Sequence, residues 1–150
     1  MMKDGNTFGS RKGASDEVKS ALHKKEKAER RELARNKNAP VEILAELAND
    51  DDWEVRKEVG RNKNSPAVIL EKLAGDDDWR VREGVAWNEK ASGEVLEKLA
   101  SDRCEVRYAV LMNKHAPIGL VKRIELENER EDAERKKSDT GDLREMRGRK

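Results

Sequence analysis

The chain has 150 residues, of which 43% are charged and 35% apolar, and its 33 lysines and arginines nearly balance 32 aspartates and glutamates to a net charge of +1. So polar a chain has little apolar material for a deep globular core, and the balanced charge gives no overall sign that would favour nucleic acid or a membrane surface. No apolar run approaches the roughly 18 residues of a bilayer-spanning helix, and the single cysteine, Cys104, excludes an intramolecular disulfide. Both points favour a reducing, cytoplasmic setting.

Residues 1–15 are polar and glycine-rich, predicting a disordered tail without the apolar stretch of a signal peptide. Asp16–Arg35 predicts one long cap helix, almost wholly charged from Lys24 to Arg31, with Val18, Leu22 and Leu33 as its apolar points. A block of about 26 residues then recurs four times. Its anchors are Leu33-Ala34-Arg35-Asn36, Val59-Gly60-Arg61-Asn62, Val85-Ala86-Trp87-Asn88 and Val110-Leu111-Met112-Asn113. A fixed period in this range means stacked structural repeats, in which each copy packs on its neighbours.

Each copy predicts two short helices. The first follows an acidic run, such as Asp50-Asp51-Asp52 or Asp76-Asp77-Asp78, whose carboxylates cap free N–H groups and complement the helix dipole. It buries an i, i+4 pair such as Val55 and Val59 and ends at asparagine, a residue tolerant of the left-handed conformation that closes helices. The second helix starts at Pro40, Pro66 or Pro117 (Ser92-Gly93 in the third copy) and buries residues of the kind of Ile69, Leu70 and Leu73. After Ile124 the pattern decays into a charged terminal helix to Lys137, followed by a frayed tail over 138–150. The repeat domain with its caps therefore spans 16–137.

The run Asp-x-Asp-Trp-x-Val-Arg-x-x-Val-Ala-x-Asn, followed by Pro-x-x-x-Leu-x-x-Leu-Ala, resembles the leucine-rich repeat variant family and, more loosely, HEAT-like repeats, over roughly Ala28 to Ile124. The resemblance implies an all-α fold, a short right-handed α-solenoid of about four two-helix repeats with charged capping helices. It implies that α-helices alternate with shorter, partly 3₁₀ helices and, from HEAT-like relatives, that the Val-Arg helix lines the concave face. Some family members hold an iron–sulfur centre in a cysteine-rich cluster. With Cys104 alone, that cluster is absent here.

No catalytic constellation is present, and no cofactor or small-molecule substrate is implied. His23, His115 and Cys104 make no metal-ligand spacing, and Cys104, in the place of Trp53 and Trp79, reads as a packing residue. Arg56, Arg82 and Arg107, with Arg30 in register before them, recur in step with Asp50, Asp76 and Asp102. Arginine's fork suits bidentate carboxylate pairing, so these columns predict a structural ladder between copies rather than a phosphate track. Two further columns lie four apart on the first helix, hence on one face. They read Arg31 and Arg35, Lys57 and Arg61, Glu83 and Trp87, Tyr108 and Met112. Lys37, Lys63 and Lys114 flank this face from the turns, while the second helices carry Glu42, Glu46, Glu71, Glu94 and Glu97. A face basic at one end and aromatic at the other predicts a non-enzymatic scaffold for a protein or peptide partner. The alternative is a nucleic-acid module, with Arg31, Arg35, Lys57 and Arg61 tracking phosphates and Trp87 or Tyr108 stacking on a base. HEAT-like alkylpurine DNA glycosylases use such a scaffold, but their catalytic residues have no counterpart placed in this chain.

Overall fold

A computed structural model describes the backbone of residues 9–147 and the side chains of residues 15–139. The described residues are all-helical, with no strand: α1 (Gly9–His23), α2 (Lys27–Arg35), α3 (Val41–Leu47), α4 (Trp53–Arg61), α5 (Ala67–Leu73), α6 (Trp79–Ala86), α7 (Gly93–Leu99), α8 (Cys104–Met112) and α9 (Ile118–Arg147). Helices α2, α4, α6 and α8 pack in a row, each on the next. Helices α3, α5 and α7 each bridge two consecutive members of that row, α1 packs on α3, and α9 on α8. No 3₁₀ segment occurs among the described residues, so the short second helices are seven-residue α-helices.

The periodic apolar residues form the core. Val55, Val59, Val81, Val85, Val106 and Val110 supply it from the row, and pairs such as Leu70 and Leu73 from the bridging helices, all at most 1% exposed. Each fully buried side chain of this kind contributes roughly 1.5–3 kcal/mol. Close approach within the row depends on small residues. A Cβ added to Gly60 would lie 3.2 Å from Val85 Cγ2, and one added to Gly84 would lie 2.9 Å from the Lys57 carbonyl oxygen. Acidic capping is explicit: Asp52 accepts from Glu54 N at 2.8 Å and Asp78 from Arg80 N at 2.9 Å. In the third copy, where proline is missing, Ser92 Oγ caps α7 by accepting from Val95 N at 3.2 Å.

Several local expectations change. The single helix over Asp16–Arg35 is broken at Lys24–Glu26. There Leu22 turns inward, 6% exposed, and Arg30 Nη1 donates to the Lys25 carbonyl at 2.7 Å, holding the turn open. Helix α1 begins at Gly9, inside the segment expected as a tail, and α9 runs to Arg147, past Lys137. Its Glu, Lys and Arg residues are strong helix formers. Residues 1–8 and 148–150, the rest of the two expected tails, lie outside the described residues. The closing asparagines are not left-handed. Asn36, Asn62 and Asn113 have φ of −63°, −69° and −73° with ψ of 118°, 125° and 121°, an extended conformation. Cys104 is exposed rather than packed, because Arg103 swings over the neighbouring Trp79 ring in its place.

Candidate functional site

The arginine column joins neighbouring copies. Arg30 donates from Nε and Nη2 to Asp50 at 2.7 and 3.2 Å, Arg56 likewise to Asp76 at 2.7 and 3.0 Å, and Arg82 to Asp102 at 2.5 and 3.0 Å. The free Nη1 turns back to the loop before its own helix. Arg56 reaches the Asp50 carbonyl at 2.7 Å and Arg82 the Asp76 carbonyl at 2.6 Å. Each arginine thus fastens its own loop and the following one. Arg107 ends the series differently, gripping Glu131 on α9 with Nη1 and Nη2, both at 3.0 Å, while its buried Nε has no hydrogen-bond partner. All four guanidiniums are committed within the chain.

The asparagine column forms a second ladder. Asn88 Nδ2 donates to the Gly60 and Asn62 carbonyls at 2.7 and 3.0 Å, while its Oδ1 accepts from Lys90 N at 2.9 Å. Asn62 repeats the pattern on Ala34 and Asn36, and Asn113 on Ala86 and Asn88. The carbonyls of a helix's last turn lack intrahelical partners, so each asparagine caps the preceding helix of the row from one copy away.

The two columns of the mixed face divide sharply. At its α2–α4 end, Arg31 pairs with Glu54 at 2.7 Å, Lys27 with Asp52 and Glu54 at 2.8 and 3.0 Å, and Arg35 with Glu58 at 3.3 Å. Lys57 pairs with Glu83 at 2.8 Å. Three of the four basic residues assigned to the stripe are therefore neutralised by carboxylates of the next helix. Arg61 alone of the four makes no ion pair among the described residues. Beyond it the face turns apolar. Trp87 closes α6, and Tyr108 and Met112 lie on α8, 38%, 56% and 50% exposed respectively. The Trp87 and Tyr108 rings meet edge to face, with centroids 6.3 Å apart and planes at 69°. That geometry holds both rings in place without covering them.

A second aromatic feature escaped the sequence reading. Arg80 lies 4.5 Å over Trp53 and 5.2 Å from the Trp79 ring, and Arg103 lies 4.6 Å over Trp79. These cation–π layers leave Trp53 and Trp79 half-buried along the N-terminal edge of the row. Arginines directly after Trp79 and before Cys104 were the only sequence signal. Among the described residues no group of three or more His, Cys, Asp and Glu is placed to hold a metal ion, and no helix is long and apolar enough to cross a membrane.

The ladders make stability acid-sensitive. Burial pushes the Asp76 and Asp102 carboxyls up, but the hydrogen bonds from Arg56 and Arg82, those from the Asp78 and Arg103 backbone N–H groups and the nearby positive charge together hold both below the ordinary value. Burial likewise opposes Asp52, which Lys27 and a backbone N–H hold down, while Lys27 and Arg31 lower Glu54. A depressed folded-state pKa gives stability that is present above the unfolded value and lost as pH falls through the folded one. The melting temperature should be flat from about pH 7 to 5 and fall steadily below about pH 4. An unchanged melting temperature on acidification through that range would contradict the ladder's role.

Comparison with protein-family models, with curated proteins and with solved structures finds no match for this chain.

Proposed function

We propose that the chain is a short right-handed α-solenoid of the leucine-rich repeat variant kind, and that it works as a non-enzymatic, cytoplasmic scaffold binding a protein or peptide. Its recognition face is the α6–α8 end of the row, with Trp87 as anchor and Tyr108 and Met112 beside it. The observation that carries this reading is the division of the face: carboxylates consume the basic stripe up to Lys57, and exposed aromatic and thioether side chains follow. Phosphate tracking needs a continuous stripe of uncompensated cations, whereas Trp, Tyr and Met flanked by Arg61 and the turn lysines match the composition of a protein interface. The Asp–Arg and Asn ladders then serve to hold α6 and α8 in fixed register, so that the face is preorganised.

Selection of displayed peptides on the wild-type chain, with Trp87→Ala for counter-selection, tests this. Enriched peptides should lose about 30-fold or more in affinity on Trp87→Ala, corresponding to an anchor worth 2 kcal/mol, and less on Tyr108→Ala or Met112→Ala. Peptides that bind Trp87→Ala and wild type alike would contradict it.

A further inference from the structure

The face around Trp87 calls for an apolar side chain accompanied by negative charge, because the cations beside it are uncompensated. Arg61, Lys63 and Lys114 make no ion pair among the described residues. Helix α9 carries the matching chemistry. Residues 125–134 hold six carboxylates and one arginine; Glu127 and Glu131 pair with Arg123 and Arg107, and within that stretch Leu126 is 59% exposed. Ile118, eight residues earlier and thus on the same helix face, is 72% exposed, whereas Leu120 and Ile124 on the opposite face are buried. Beyond Ile124 every described side chain of α9 is exposed except the half-buried Asn128. The helix is therefore fixed by its first two turns and by the Arg107–Glu131 pair, and presents Ile118 and Leu126 on an outer edge that the described residues leave exposed.

We propose that the occupant of the Trp87–Tyr108–Met112 face is α9 of a second copy of this chain, with Leu126 seated against the two rings and the acidic stretch facing Arg61 and the turn lysines. This deepens the docking-face reading and rests on it. The chain displays both halves of the contact, so a two-fold arrangement forms it twice, as an isologous interface requires. Doubling matters because one such small contact would be weak. Head-to-tail continuation of the row is not the arrangement. The position that lets helices of the row approach is Ala34, Gly60 and Ala86 in the first three copies but Leu111 in the last. No side chain larger than a methyl stands there in the packed copies, and a Cβ at Gly60 would already lie 3.2 Å from Val85 Cγ2, so the larger Leu111 bars another helix from lying on α8 in the same register.

Light scattering or sedimentation of the full chain from about 1 to 100 µM tests this directly. The wild type should be a dimer that dissociates with added salt. Trp87→Ala and Leu126→Glu should each be monomeric, with unchanged helix content. An equimolar mixture of the two variants should associate more than either variant alone but more weakly than the wild type, because only one of its two contacts remains intact. A wild type that stays monomeric at about 100 µM, or a dimer indifferent to both substitutions, overturns the proposal. If that monomer still binds selected peptides through Trp87, the second copy is wrong and the docking face stands; if it binds none, both fall.

Discussion

Asn88→Ala lowers the melting temperature sharply, whereas Asn36→Ala, in the same column of the repeat, barely moves it. Asn88 is 3% exposed and its amide serves two carbonyls at the end of α4 as well as the turn after α6. Alanine there strands the buried Gly60 carbonyl, at about 1–3 kcal/mol, takes one of two bonds from the Asn62 carbonyl, which keeps Ser65 N at 3.0 Å, and drops the Lys90 bond. A net loss on the order of 3 kcal/mol corresponds to roughly 10 °C in a domain of this size. Asn36 is exposed and its side chain takes only Asn38 N, at 2.9 Å. Its loss costs about 1 kcal/mol or less. Thermal melts of the two variants side by side check this. Equal shifts would mean that the column acts through turn conformation alone and not by capping the preceding helix.

Arg82→Ala destabilises far more than Arg61→Ala. Arg82 holds Asp102 with its fork and the Asp76 and Asp77 carbonyls with Nη1. Its removal leaves the Asp102 carboxylate, 14% exposed, without its cation. Breaking a fully buried pair costs about 3–5 kcal/mol. The partial exposure here reduces that to on the order of 2–3 kcal/mol. Arg61 is exposed and packs only its aliphatic stem near Gly84, so its truncation should cost about 0.5 kcal/mol. Denaturant midpoints distinguish the two, and equal midpoints would return the arginine column to the surface.

The helical register was legible because burial is a local pattern. Val55 and Val59, and Leu70 and Leu73, lie one turn apart and need no knowledge of their partners. The ladders were legible only as columns. Asp76 lies six residues ahead of Arg82 in the sequence, but its carboxylate pairs with Arg56, twenty residues earlier. Only the Asp76 backbone carbonyl goes to Arg82. Sequence distance does not say which of two equidistant layers a long side chain will reach. From sequence the asparagines read as backbone devices because their distant acceptors are main-chain carbonyls, which no residue identity announces. From sequence the basic stripe reads as open because two of its neutralising residues, Glu54 and Glu58, lie in columns off that face; the third, Glu83, stands in the face itself and reaches back to Lys57. Exposure of Trp87 turned on what α9 covers, and a charged helix gives no periodic signal of where it lies.

On the proposed reading, Trp87 meets the partner while the other two tryptophans hold the fold. The three indole N–H resonances separate these roles in one spectrum, recorded as a selected peptide is titrated into the labelled chain. The Trp87 signal should shift or broaden with occupancy, while those of Trp53 and Trp79, stacked against Arg80 and Arg103, stay fixed. Shifts at Trp53 and Trp79 with Trp87 unmoved would contradict the account and place recognition on the opposite edge of the row.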